Sequence, residues 1–167
     1  MRNTKHKNGF TLIEVLMAIM LVGLAIASLV AAGSTFTQSN SAGMNLSTAE
    51  FLIEQIKELT ILLPVTDPDP NSSNAIFGPE AGETLDTYDD LDDLDDAVFS
   101  PPINAERQVL TDYPGFSQQI TVENINGTNF QQVVLDSGSA FVRVTVKVRL
   151  NSKEIISESW IRANLNN

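Results

Sequence analysis

One acidic side chain stands at the start of a long uncharged run. Between Glu14 and Glu50 the sequence carries no charged residue. Val15–Gly33 is 19 residues long and would rise about 28 Å as a helix, close to the roughly 30 Å of bilayer hydrocarbon. Arg2, Lys5, His6 and Lys7 precede it. Bases on that side predict a cytoplasmic N-terminus, with everything after Ser34 across the membrane.

Three kinds of segment share this outline. One is a secretory signal peptide ending in the small residues Ala31-Ala32-Gly33. Another is a plain single-span anchor. The third is a segment cut between Gly9 and Phe10. Glu14 separates them. An acid at mid-bilayer costs roughly 2.5–3.5 kcal/mol, less near an interface. A signal peptide or plain anchor has no use for it, whereas intramembrane acids generally have a partner and a role.

The run Gly9-Phe10-Thr11-Leu12-Ile13-Glu14-Val15-Leu16 resembles the N-terminal signature of type IV pilins and pseudopilins. The likeness is specific over residues 9–33 and weaker to about residue 63. It implies a leader of residues 1–9, cleavage by a prepilin peptidase between Gly9 and Phe10, and N-methylation of Phe10. It also implies an assembly role for Glu14, the fifth residue of the mature chain. Two pairings are open to that carboxylate. It can meet the Phe10 amine of a neighbouring subunit and set an axial register. It can instead pair with its own Phe10 amine, four residues earlier, and complement its own helix N-terminus. Alanine stands at position 31, where many relatives carry a kinking proline, while Gly33 and its Ser and Thr neighbours permit local unwinding.

The helical pattern continues past the bilayer-length segment. Leu52, Ile56, Leu59 and Leu63 recur at i, i+4, i+7 and i+11, widened by Ile53 and begun a turn earlier by Leu46 and Ala49. Glu50, Glu54, Lys57 and Glu58 lie opposite, and Pro64 ends the pattern. One helix is expected from about Thr11 to Leu63, with residues 10–33 as its transmembrane half. Residues 34–63 form an amphipathic half that needs a globular head to cover it.

All seven prolines fall in residues 64–115, an acidic connector with no base between Lys57 and Arg107. Within it Leu91, Leu94 and Val98 repeat at helical spacing, consistent with one short turn facing the core. Asp89, Asp90, Asp92, Asp93, Asp95 and Asp96 place six carboxylates in eight residues. Clustered carboxylates suit a hard cation, and calcium is the one candidate ligand, but the spacing is not that of an EF-hand. The alternative is a solvated acidic face anchored by Tyr88 and the leucines. No other cofactor is expected.

Residues 116–167 read as an antiparallel sheet. Phe116, Ile120 and Val122 share a face with Gln118 among them, Asn126-Gly127 makes a turn, and Phe130–Leu135 is a weaker strand. In Ala140–Leu150, Val142, Val144, Val146, Val148 and Leu150 alternate with Phe141, Arg143, Thr145, Lys147 and Arg149. Glu154–Ala163 returns with Ile156 and Trp160 on one face and Ile155 and Ile161 on the other, as for a strand covered on both sides. The expected fold is α+β: the pilin fold, a long N-terminal helix packed on a small antiparallel sheet. From about residue 86 to 163, Tyr-Asp-Asp-Leu-Asp-Asp, Ser-Pro-Pro and Gly-Phe-Ser before valine-rich strands are similar to minor pilins of the mannose-sensitive haemagglutinin type and PilV-like proteins.

Several functions are disfavoured by composition. The net charge is -11, and loss of three of the ten bases with the leader would leave seven against 21 acids, a net of -14. That is a poor surface for nucleic acid. No cysteine is present, so disulfides and thiolate sites are excluded. His6, the only histidine, lies in the leader, so no mature Ser-His-Asp arrangement exists and no enzyme is expected. The resemblance implies a minor pilin-like or pseudopilin subunit of a type IV pilus or type II secretion filament. It would sit in the bacterial inner membrane, with its head extracytoplasmic, before entering the filament. Its implied partners are the prepilin peptidase, the lipid bilayer, an inner-membrane assembly platform and other pilins or pseudopilins through the N-terminal helix. The competing class is a membrane-anchored extracytoplasmic binding module using its acidic loop or sheet face.

Overall fold

The computed structural model describes residues 9–65, 67 and 77–164. The basic leader residues Arg2, Lys5, His6 and Lys7, and Pro68 and Pro70 of the connector, lie outside them. The chain forms two compact units, one ending at Met44 and one beginning at Asn45. Helix α1, Leu12–Leu62, contributes to both.

In the first unit every described residue from 9 to 44 is exposed. Helix α1 is the one described helix long and apolar enough to cross a membrane. It remains helical through Gly33, so the local unwinding that Gly33 would permit does not occur there. The hydroxyls that threatened it are absorbed by the helix itself. Thr35 Oγ1 donates to Ala31 O at 3.1 Å and Thr37 Oγ1 to Gly33 O at 3.0 Å, while Ser28 bonds Leu24 O in the same way.

The second unit is the head. Ala49, Leu52, Ile53, Ile56, Leu59 and Leu63 are buried and form one side of its core. Fully burying each such leucine or isoleucine contributes roughly 1.5–3 kcal/mol. Leu46 does not join them; it is 41% exposed. The C-terminal carbonyls of α1 are capped from the sheet: Arg162 donates to Thr60 O and, at 3.2 Å, to Leu63 O. Thr60 is itself buried, its hydroxyl donating to Lys57 O at 2.8 Å.

Opposite the helix lies a five-stranded antiparallel sheet: β1 (Val98–Phe99), β2 (Phe116–Asn126), β3 (Asn129–Val133), β4 (Phe141–Leu150) and β5 (Lys153–Ala163). The order is β1-β2-β4-β5, with β3 paired to the end of β2. The expected α+β architecture, a long helix against an antiparallel sheet, is the one observed. Alternation in β4 works as read: Val142, Val144, Val146 and Val148 are buried, while Arg143, Lys147 and Arg149 are only partly covered on the other face.

Strand β5 differs from expectation. The register shifts where Val148 pairs with Ile156 but Arg149 pairs with Glu154, which leaves Ile155 as the extra residue of a bulge. Ile155 thereby packs on the same core as Ile156 and Trp160, and Ile161 is left 42% exposed. The strand is covered on one side, not two.

The outer edge of β2 is satisfied piece by piece. Strand β1 pairs with Gln118 and Gln119, Ile120 N–H reaches Ala97 O at 2.9 Å, and Val122 N–H reaches Asp95 Oδ1 at 2.7 Å. Further on, Val134 N–H donates to Asn124 O at 2.9 Å and β3 takes over. The connector thus behaves as an improvised edge strand, with one aspartate side chain replacing a backbone carbonyl. Val98, expected to face inward, lies in β1 and is exposed.

Candidate functional site

Two regions carry candidate residues, one in each unit. At the start of the first, Thr11 is the N-cap of α1. Its carbonyl accepts the N–H of Glu14 at 3.1 Å and of Val15 at 3.3 Å, and its Oγ1 takes a longer bond from Glu14 N–H at 3.4 Å. Thr11-x-x-Glu14 is also the sequence pattern of a capping box. Glu14 therefore sits in the first turn, where the exposed helix dipole favours a negative charge. Gly9 and Phe10 precede the helix, exposed and without regular structure. Phe10, Glu14, Ala18 and Val22 follow one another at four-residue spacing and line a shared concave surface with Val15 and Ile19. Among the described residues Glu14 is the only charge on that surface.

The acidic loop is the second region: Asp89 and Asp96 are exposed, as for a solvated face anchored by the leucines, but Asp90 and Asp93 are buried. A short 3-10 turn, Asp92–Leu94, buries Leu91 and Leu94 and with them the side chains of Asp90 and Asp93, 2% and 1% exposed. Tight turning places backbone donors around these carboxylates. Asp93 Oδ2 accepts N–H bonds from Asp89 at 2.9 Å and Asp90 at 3.2 Å. Asp90 Oδ1 accepts from Asp92 at 3.0 Å and Asp93 at 3.4 Å. Asp93 Oδ1 is buried with no hydrogen-bond partner among the described residues.

Of the six aspartates, the fold brings three together. Carboxylate oxygens of Asp90, Asp92 and Asp93 lie within 4.8 Å of one another. A second triplet, Glu80, Glu83 and Asp93, meets the same limit and shares Asp93. Asp89 and Asp96 are exposed and stand outside both groups, and Asp95 is committed to the N–H of Val122. Glu80 and Glu83 were missed because they belong to the loop before the aspartate run. Arg107 helps to fold that loop back, its guanidinium donating to the carbonyls of Leu85 at 2.9 Å, Asp86 at 3.0 Å and Tyr88 at 2.6 Å.

Crowding of acids in a desolvated place raises their pKa values. Burial, reinforced by the neighbouring Asp92, pushes the Asp90 carboxyl up to about 8 against the pull of its N–H donors. Burial pushes Asp93 up to about 6, with the charges of Asp90 and Glu83 adding to it. Asp92, Asp95 and Glu83 are raised too, in each case chiefly by burial. Glu80, Asp90 and Asp92 also line one wall of a cavity of about 420 Å³, whose other wall includes Asn124, Ser137–Ala140 and Val142.

The outer face of the sheet is less available than its sequence suggests. Arg143 is paired with Glu123 at 2.8 Å and Arg149 Nη1 donates to Gln119 Oε1 at 2.6 Å. Lys57 bridges Glu54 at 3.2 Å and Glu158 at 3.3 Å and lies 5.9 Å from the Trp160 ring centroid, so its ammonium is held more firmly than usual by the two carboxylates.

Against known proteins, residues 4–35 match the family model described as the prokaryotic N-terminal methylation motif. No curated protein and no solved structure matches the chain. The motif implies processing by a prepilin peptidase and assembly with other pilins.

Proposed function

We propose that this type IV pilin-like protein is a minor pilin or pseudopilin subunit, cleaved between Gly9 and Phe10, methylated on Phe10, and assembled into a filament through α1. The reading is supported by one coincidence. The methylation motif ends in a helix whose described residues are all exposed as far as Met44, and Glu14 is the only charge on that surface. Before assembly that apolar surface suits the bilayer of the inner membrane, with the leader cytoplasmic and the head across it. Transfer into a filament replaces lipid by other helices, so apolar burial alone gives little preference between the two. Packing and polar pairing must decide.

Cleavage supplies the missing partner by creating an amine on Phe10. In a packed helical array, the Glu14 carboxylate and a neighbour's Phe10 amine would satisfy each other and fix the axial offset between subunits. Removing one partner of a buried pair leaves the other uncompensated, at about 3–5 kcal/mol. Glu14→Ala should therefore be processed normally, accumulate in the membrane fraction, and be lost from sheared filaments. Incorporation at the wild-type level would remove the assembly role of Glu14.

A further inference from the structure

We propose that Asp93, with Asp90 and Asp92 on one side and Glu80 and Glu83 on the other, holds a divalent calcium-class cation. This inference concerns the head alone and stands whether or not the chain assembles as proposed above. Its starting point is Asp93, the residue common to both carboxylate triplets. Two N–H groups fix its Oδ2 as an acceptor, and the bond-accepting Oδ1 of Asp90 is fixed in the same way. Hydrogen bonds of this kind favour the ionised carboxylate, against the burial that raises both groups. Asp93 Oδ1 is then a buried acceptor with no donor, an arrangement that normally costs stability. A cation is the group that such an oxygen lacks.

Spacing and donor type select the kind of cation. Ligand oxygens about 2.4 Å from a calcium ion stand at most about 4.8 Å apart, when they lie on opposite sides. Both triplets already fall within 4.8 Å, so each group stands close to the span that a single ion bridges. Every donor is a carboxylate oxygen, with no imidazole or thiolate in the cluster, which favours a hard ion over zinc or copper. Room for water or a further oxygen ligand exists on the side where Asp90, Asp92 and Glu80 face the cavity. The bound ion would tie residues 80–83 to residues 90–93, and through Asp95 to the edge of β2.

The test uses the full chain in detergent, stripped with chelator and titrated with calcium chloride. Calorimetry should show saturable binding, and millimolar calcium should raise the thermal midpoint. Asp93→Asn can keep the two N–H bonds through its amide oxygen but loses the charge. It should unfold in chelator at or above the wild-type temperature and no longer respond to calcium. Asp89→Asn, outside both triplets, should respond like wild type. If Asp93→Asn does not fold, Glu83→Gln should bind about tenfold more weakly or worse. No heat and no shift for wild type at millimolar calcium would overturn the proposal and leave these carboxyls holding protons instead. A wild-type response in Asp93→Asn, or in Glu83→Gln where that variant is the one used, would also overturn it.

Discussion

Gln118 Nε2 donates to the carbonyl oxygen of Leu52 at 2.8 Å, joining strand β2 to helix α1 through the middle of the core. The same amide donates to Ile103 O at 3.1 Å and accepts from Ile103 N–H at 2.8 Å. One fully buried side chain thus binds helix, connector and sheet. Gln118→Leu keeps the volume but leaves the N–H and the carbonyl of Ile103 without their partner, and Leu52 O loses its second donor. An unsatisfied buried group costs about 1–3 kcal/mol. The thermal midpoint of the head, followed through Trp160 fluorescence, should drop by several degrees, and Gln118→Glu should be worse because its carboxylate would face two carbonyl oxygens.

Gly115 carries a different kind of constraint. Its φ is +82°, and an added Cβ would lie 2.6 Å from Asn151 Oδ1. The two residues are already joined by the Asn151 N–H bond to Gly115 O at 2.8 Å, which connects the start of β2 to the β4–β5 turn. Gly115→Ala combines an unfavourable backbone conformation with that close contact and should cost about 1–3 kcal/mol. Equilibrium urea unfolding would measure it, as a lower midpoint with an unchanged slope.

The acidic loop sets the pH dependence of the head. Asp90 is raised to about 8 and Asp93 to about 6, both above the roughly 3.9 of an unfolded aspartate. The folded state therefore binds more protons than the unfolded state between those limits. The stability this contributes is complete below about pH 4 and is lost as pH rises towards 8. In chelator, urea midpoints should fall from about pH 5 to about pH 8, and Asp90→Asn should flatten the slope. Calcium should restore stability most at the alkaline end, where the carboxylates are ionised.

The basic row on the outer face gives a prediction of near silence for the isolated chain. Arg143 is neutralised by Glu123 and is excluded from the test. Lys147→Glu should change stability by no more than about 0.5 kcal/mol. A loss of filament incorporation in that variant, at unchanged thermal midpoint, would identify Lys147 as a subunit contact with a neighbour's acidic connector. Unchanged incorporation would end that idea.

What the sequence made legible was periodic. The stripe from Ala49 to Leu63 and the alternation of β4 are repeated signals, and each repeat reinforces the last. The parts that escaped depend on single residues or on closure between distant ones. Gln118 is polar at an inward position, so alternation alone treats it as a gap rather than a junction. The bulge at Arg149 turns Ile155 inward, and no run of residues announces it. Glu80 and Glu83 meet Asp93 because the loop folds back, helped by an arginine some twenty residues further on, and spacing within the aspartate run contains no trace of them. Asp90 and Asp93 were open to being read as solvated because charge normally marks the surface; here a short turn supplies the N–H groups that make their burial tolerable.

The central claim concerns the first residue of the mature chain. Mass spectrometry of the N-terminal peptide of the protein isolated from its native membrane tests it directly. The account predicts a chain beginning at Phe10 with one methyl group on its amine. A chain beginning near Ala32 or Gly33, or one retaining residues 1–9, would contradict it.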